Sequence, residues 1–117
     1  MIAHVGLEVR PDAMEAELAF WALLGLREVE RPAGLDLAGH WVQRDAIQLH
    51  LLEAEVPVVP AVGHVALVVS DYDTVVARLR AAGHAAQPRT EYWGAPRTKV
   101  HSPAGHLVEL LAPTPGG

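Results

Sequence analysis

The sequence predicts an α+β fold built from a βαβββ module that occurs twice. Residues 2–9 alternate apolar and polar side chains, which is typical of a half-buried strand. Four residues recur in the same order sixty positions later, namely His4, Val5, Leu7 and Val9 as His64, Val65, Leu67 and Val69. A stretch with helical spacing that ends at a glycine follows each of these strands. Such a repeat determines the architecture.

In the first module, apolar residues recur at helical spacing after Pro11 and stop at Gly25, which predicts a helix with a glycine end. Asp12 with Glu15 three positions later resembles a capping box. Three short strands are then predicted, at residues 26–31, 38–44 and 46–53.

Residues 55–61 contain two prolines and predict a linker between the modules. The second module repeats the first, with a helix over 72–82 that ends at Gly83. Its remaining strands are expected at 84–88, 96–101 and 106–112. We therefore predict one domain over 1–117, consisting of modules at about 1–54 and 62–113.

Each module should form a four-stranded sheet with its helix outside one face. The other face of each sheet has no helix to cover it, so the two faces could line a cup. The predicted architecture is thus an open eight-stranded mixed β-barrel.

The composition excludes several classes of partner and of binding site. The net charge is −5, which argues against nucleic-acid and membrane partners because both normally need a basic patch. Cysteine is absent, which excludes disulfide scaffolds and thiolate metal sites. No apolar stretch is long enough to span a membrane, and no basic and apolar leader opens the sequence. We expect a cytoplasmic protein.

Four polar side chains fall at matched positions on the predicted free faces. Aligning the last strand of each module places His50 opposite Glu109, while His4 and His64 occupy the opening strands. Alternation turns Leu49 and its neighbours toward the helix and these four residues away from it. Three imidazoles and a carboxylate suit a divalent transition metal, so the sequence predicts a metal site.

Other residues are candidates for substrate contact. Glu8 shares the face of His4 and could act as a general base, or simply lie at an exposed strand end. Gln48 could bind substrate, and Trp93 could form a lid or pack on the rim. Arg97 and Lys99 could bind an anionic substrate or belong to a solvated edge.

Two residues of the third strand are undecided. Trp41 and Gln43 share one parity, but the sequence alone does not determine which face of the strand that parity occupies.

The doubled module and the closing motif together resemble the vicinal oxygen chelate superfamily, which includes glyoxalase I, extradiol dioxygenases, and fosfomycin- and bleomycin-resistance proteins. The motif reads Trp93-Gly94 and then Ser102-Pro103-Ala104-Gly105-His106-Leu107-Val108-Glu109-Leu110. The resemblance covers residues 2–113. Ser102, Ala104 and His106 differ from the turn sequence that is common in the family, but they do not affect the candidate ligands.

The resemblance implies a metal-dependent enzyme acting on a small oxygen-chelating substrate by lyase, isomerase or oxygenase chemistry. It implies that His4, His50, His64 and Glu109 hold one Fe, Mn, Zn, Ni or Co ion, with Glu109 also taking part in catalysis. A homodimer is implied too, in which the cup could form within a chain or across two. The alternative is a metal-free drug- or metabolite-sequestering protein of the bleomycin-resistance type.

Overall fold

The computed structural model describes residues 1–115. The chain divides into two compact units, Met1–Val59 (unit 1) and the residues from Pro60 onward (unit 2). The division falls inside the predicted linker. The last two residues of the predicted domain, 116 and 117, lie outside the described residues.

Unit 1 contains the elements β1 (Val5–Val9), α1 (Met14–Leu23), β2 (Arg27–Val29), β3 (Gly39–Arg44) and β4 (Ile47–Glu53). The strands form a sheet in the order β1-β4-β3-β2. Strand β1 pairs with β4 in parallel, and the other neighbours are antiparallel. A crossover through α1 and the two following strands is what allows β1 to lie parallel to β4.

Unit 2 repeats this order with β5 (His64–Val68), α2 (Tyr72–Ala81), β6 (Gln87–Arg89), β7 (Arg97–His101) and β8 (Leu107–Leu111). Its sheet has the matching strand order β5-β8-β7-β6, and again only the first pair is parallel. The predicted α+β class, with two βαβββ modules and mixed sheets, is confirmed.

Strand alternation separates the core of each unit from the face that carries the candidate site. In β4, Leu49 and Leu51 are 1% and 0% exposed. In β8, Val108 and Leu110 are both fully buried. Burial of each such side chain contributes about 1.5–3 kcal/mol. His50 and Glu109 alternate with these residues, so their side chains project from the opposite face of the sheet.

Both helices end as the sequence predicts. Gly25 and Gly83 follow the helices with φ angles of +85° and +89°, a conformation that glycine adopts without a steric penalty. Each helix has ten residues, too few to cross a membrane, and no other helix among residues 1–115 is long enough.

The predicted capping box at the start of α1 is wrong. A 3-10 turn over Pro11–Ala13 precedes the helix, and the N-cap residue Ala13 makes no side-chain hydrogen bond. The Asp12 carboxylate instead accepts a hydrogen bond of 3.1 Å from the Arg10 guanidinium. The Asp12 carboxylate is therefore engaged by Arg10 and does not cap α1.

Candidate metal centre

In unit 1, His50 is the centre of a stack of three aromatic rings. The strand register places Trp41 of β3 directly across from it. The Trp41 and His50 rings lie 3.9 Å apart and within 2° of parallel. His4, immediately before β1, covers the other side at 3.8 Å and 13°. Only 8% of His50 is exposed, and the stack holds its ring plane.

A chain of side-chain amides ends on the same histidine. The Nε2 atom of His50 lies 2.7 Å from Oε1 of Gln48. The Gln48 amide donates to Oε1 of Gln43 at 2.9 Å, and the Gln43 amide donates to the backbone carbonyl of Asp45 at 3.0 Å. Gln48 therefore links His50 to Gln43, and Gln43 continues the chain to Asp45. All three hydrogen bonds lie within unit 1.

The surroundings of His50 favour its neutral form over its protonated form. Burial lowers the pKa of His50 below its ordinary value because water is removed from the charged form. Positive charge on His4 and on Arg31 lowers it further. Arg31 donates to the carbonyl of Gly39 at 2.6 Å, and it lines a shallow depression of about 480 Å³ together with Trp41.

In unit 2, Glu109 is the buried counterpart of His50. It is 7% exposed and lies between Ala66 of β5 and Lys99 of β7 in the sheet register. Its Oε1 atom is 3.6 Å from Nε2 of His64. The other ring nitrogen of His64, Nδ1, is 3.0 Å from the backbone carbonyl of Val62. A carbonyl only accepts, so Nδ1 of His64 donates in this hydrogen bond and Nε2 is the ring nitrogen that faces Glu109.

The second carboxylate oxygen of Glu109 is bound by Arg97. The guanidinium donates to Oε2 at 2.5 Å and also to the carbonyl of Thr90 at 2.5 Å. It lies 5.1 Å from the centre of the Tyr92 ring and 5.9 Å from that of Trp93, within the range of cation–π attraction. This ion pair balances the charge of a carboxylate that would otherwise be buried alone.

The predicted site residues thus gather in two groups, one in each unit. Unit 1 brings together His4, His50 and Gln48, and unit 2 brings together His64, Glu109, Arg97 and Lys99. Among residues 1–115, no group of three or more His, Asp or Glu side chains is arranged to hold a metal ion.

Two predicted residues lie at the edge of these groups. Glu8 is half-buried, and its Oε1 accepts a hydrogen bond of 3.2 Å from the backbone amide of Val58. Trp93 is 54% exposed and contacts the edge of the Tyr92 ring.

The sequence left two important residues undecided. Trp41 forms one side of the stack on His50, and Gln43 ends the amide chain. The pairing of β3 with β4 determines their face, since residues directly across from each other in a sheet project to the same side. A register argument from the short Asp45-Ala46 turn could have placed both.

A protein-family model for the glyoxalase/bleomycin resistance protein/dioxygenase superfamily matches residues 1–110. The chain belongs to this superfamily. No curated protein matches the chain. Membership agrees with the fold described above, and the matched segment includes all of the candidate ligands.

Solved structures of superfamily proteins have the same fold. A glyoxalase family protein from Bacillus anthracis has a TM-score of 0.86 at 21% identity, covering 96% of this chain and 93% of that chain. A mutant of the fosfomycin resistance protein FosX from Listeria monocytogenes, complexed with Mn(II) and 1S,2S-dihydroxypropylphosphonic acid, has a TM-score of 0.79 at 17% identity, covering 97% and 92%. A glyoxalase/bleomycin resistance protein/dioxygenase domain from Frankia sp. gives 0.79 at 19% identity, covering 100% and 94%.

Proposed function

We propose that this protein is a metal-dependent enzyme of the superfamily that acts on a small oxygen-chelating substrate. The observation that carries the proposal is the pair formed by His64 and Glu109 in unit 2. The Nε2 atom of His64 faces a buried carboxylate oxygen of Glu109, while Nδ1 faces the Val62 carbonyl. The sequence repeat supports His4 and His50 as the remaining ligands.

The spacing of the pair suits a divalent ion. Two donors that each lie about 2.1 Å from one tetrahedral metal stand about 3.4 Å from each other. The separation between Nε2 and Oε1 is 3.6 Å, which is long for a direct hydrogen bond. A bound Fe, Mn, Zn, Ni or Co ion would act as a Lewis acid that polarises oxygen atoms of the substrate.

The residues around the pair would bind and orient the substrate. Arg97 and Lys99 place two positive charges beside Glu109, which supports an anionic substrate or intermediate. FosX, one of the structurally similar proteins, was crystallised with a phosphonic acid and is consistent with that chemistry. We propose substrate contact by Trp93 and Gln48, proton transfer by Glu8, and a catalytic role for Glu109 in addition to ligation.

The second candidate function is sequestration of a drug or metabolite without metal. It is favoured by one observation, the ion pair between Arg97 and Glu109, because the carboxylate already has a cationic partner in the absence of metal. The homodimer and the cytoplasmic location remain predictions.

The deciding experiment measures metal content by mass spectrometry and metal affinity by calorimetry, on protein purified without chelator or affinity tag. We expect about one divalent ion per site, and at least about a 100-fold loss of affinity in Glu109→Gln, since even outer-shell substitutions cost about 10- to 100-fold. Glu15→Gln, an exposed glutamate of α1, is the control. Folded wild-type protein that takes up none of the five ions, yet binds small molecules, would favour the sequestering protein.

A further inference from the structure

The amide chain of unit 1 has a direction, and its last acceptor determines that direction. The carbonyl of Asp45 only accepts, so the Gln43 group facing it is the NH2. The Gln43 oxygen then faces Gln48, so the Gln48 group facing it is also the NH2. The oxygen of Gln48 is left for His50, and an amide oxygen requires a donor.

We propose that Gln48 and Gln43 are positioning residues that lock neutral His50 in the tautomer with its proton on Nε2. The lone pair is then on Nδ1, and Nδ1 is the atom through which His50 would bind the metal. This inference rests on the proposed function for the metal, but the tautomer itself does not depend on metal.

The environment of His50 supports both parts of the proposal. Among residues 1–115, His50 hydrogen-bonds through Nε2 to Gln48, so Nδ1 is the ring nitrogen outside the amide chain. The rings of Trp41 and His4 cover the two faces of the imidazole, which leaves the ring edge as the route to Nδ1.

His64 of unit 2 is held in a similar way, but the hydrogen bond is made by Nδ1 instead of Nε2. His64 donates from Nδ1 to the Val62 carbonyl, and Nε2 is the nitrogen that faces Glu109. Metal-binding histidines almost always donate their other ring N–H to an acceptor, which orients the ring and raises its basicity. His50 and His64 both meet this requirement, through a side-chain amide in one case and the backbone in the other.

The test is long-range proton–nitrogen NMR on metal-free protein labelled with 15N-histidine, at a pH where His50 is neutral. The nitrogen that couples to both ring carbon protons is Nε2, so the spectrum assigns the proton directly. We expect a single Nε2–H tautomer with a slowly exchanging, visible N–H proton. Gln48→Leu, which copies Leu107 at the matched position of unit 2, should lose the N–H signal and yield a tautomer mixture.

Two further variants separate the acceptor from general packing effects. Gln48→Glu keeps an oxygen acceptor and should retain the Nε2–H signal. Gln87→Leu, on the exposed strand β6, should leave His50 unchanged. A mixed or Nδ1–H tautomer in the wild type, or a Gln48→Leu spectrum identical to wild type, would overturn the proposal.

Metal affinity then tests the role of Nδ1. We expect Gln48→Leu to weaken binding about 10- to 100-fold, the range measured for outer-shell partners. A tautomer change without a loss of affinity would show that His50 is not a ligand, while a site at His64 and Glu109 would stand. Failure of the wild type to bind metal would refute the proposed function and leave the tautomer result valid.

Discussion

His50 of β4 and Glu109 of β8 occupy matching positions in the two sheets, but the residues across from them differ. In unit 1, His50 pairs with Trp41, and the two rings stack. In unit 2, Glu109 pairs with Lys99, and Arg97 binds the carboxylate. At this position one sheet therefore presents stacked aromatic rings (the aromatic face) and the other an ion pair (the charged face).

This difference shows where the repeated backbone tolerates change. The residues that alternate with the central ones stay apolar in both units, because they pack in the core; they are Leu49, Leu51, Val108 and Leu110. Side chains on the other face are not constrained by helix packing. They can exchange an imidazole for a carboxylate while the strands remain in register, and the repeat can thus carry two kinds of polar side chain.

The largest effect is expected from breaking the charged pair of unit 2. Glu109→Leu should lower the free energy of unfolding by about 3–5 kcal/mol, because the buried charge of Arg97 would be left without a carboxylate to balance it. The two side chains are only 12% and 9% exposed, so solvent would screen little of that charge. Urea unfolding of the metal-free protein measures the change.

A double variant provides the control for this effect. Glu109→Leu combined with Arg97→Met removes both charges and should recover most of the loss. The matched change in unit 1, His50→Leu, should cost less because it leaves no charge unpaired. Equal losses for His50→Leu and Glu109→Leu would contradict the distinction between the aromatic face and the charged face.

The pH dependence of stability should report on His50, at the centre of the aromatic face. The pKa of His50 is lowered from its ordinary value of 6.5 by burial and by the charges of His4 and Arg31. As the pH falls below about 6.5, the unfolded chain takes up a proton that folded His50 does not, so the free energy of unfolding decreases. The decrease ends once the pH is below the lowered pKa.

Thermal unfolding of metal-free protein between about pH 7.5 and pH 5 would measure this dependence. The interval includes the ordinary histidine pKa of about 6.5. His50→Gln should flatten the curve in that interval, because glutamine does not titrate. The other histidines are retained in the variant, so the difference between the two curves reports the titration of His50 together with its coupling to His4. Identical slopes would contradict a neutral, desolvated His50.

The smallest effect is expected where the two units differ by one methyl group. Gly6 lies across from His50, and Ala66 lies across from Glu109. A Cβ at Gly6 would lie 3.2 Å from the flexible Cδ1 of Leu52. Gly6→Ala should change the free energy of unfolding by less than about 0.5 kcal/mol, since the tight contact offsets the lower entropy of the unfolded chain.

Gly39 provides the contrasting case for the same measurement. A Cβ there would be 2.2 Å from the backbone oxygen of Leu51, an atom that cannot move without disturbing the sheet. Gly39→Ala should therefore destabilise the protein by more than about 1 kcal/mol. If Gly6→Ala were as destabilising as Gly39→Ala, β1 would not have room for the methyl group that Ala66 places in β5.

Much of the fold could be predicted because its signals are local. The predicted strand 46–53 and helix 72–82 differ by only one residue at an end from β4 and α2. Alternation also predicted that His50 and Glu109 project away from the core. The capping box failed because Arg10, which does not belong to that pattern, binds Asp12.

The sequence by itself determined the two βαβββ modules, the glycine ends of the helices and the candidate ligands, since apolar spacing and glycine conformation act within one element. Only the tertiary structure decided that Trp41 stacks on His50, that Arg97 binds Glu109 and that the amide chain runs from His50 to Asp45. The physical reason is that a ring stack, an ion pair and the direction of a hydrogen bond depend on which side chains face each other across strands. Periodicity along one strand does not specify that pairing.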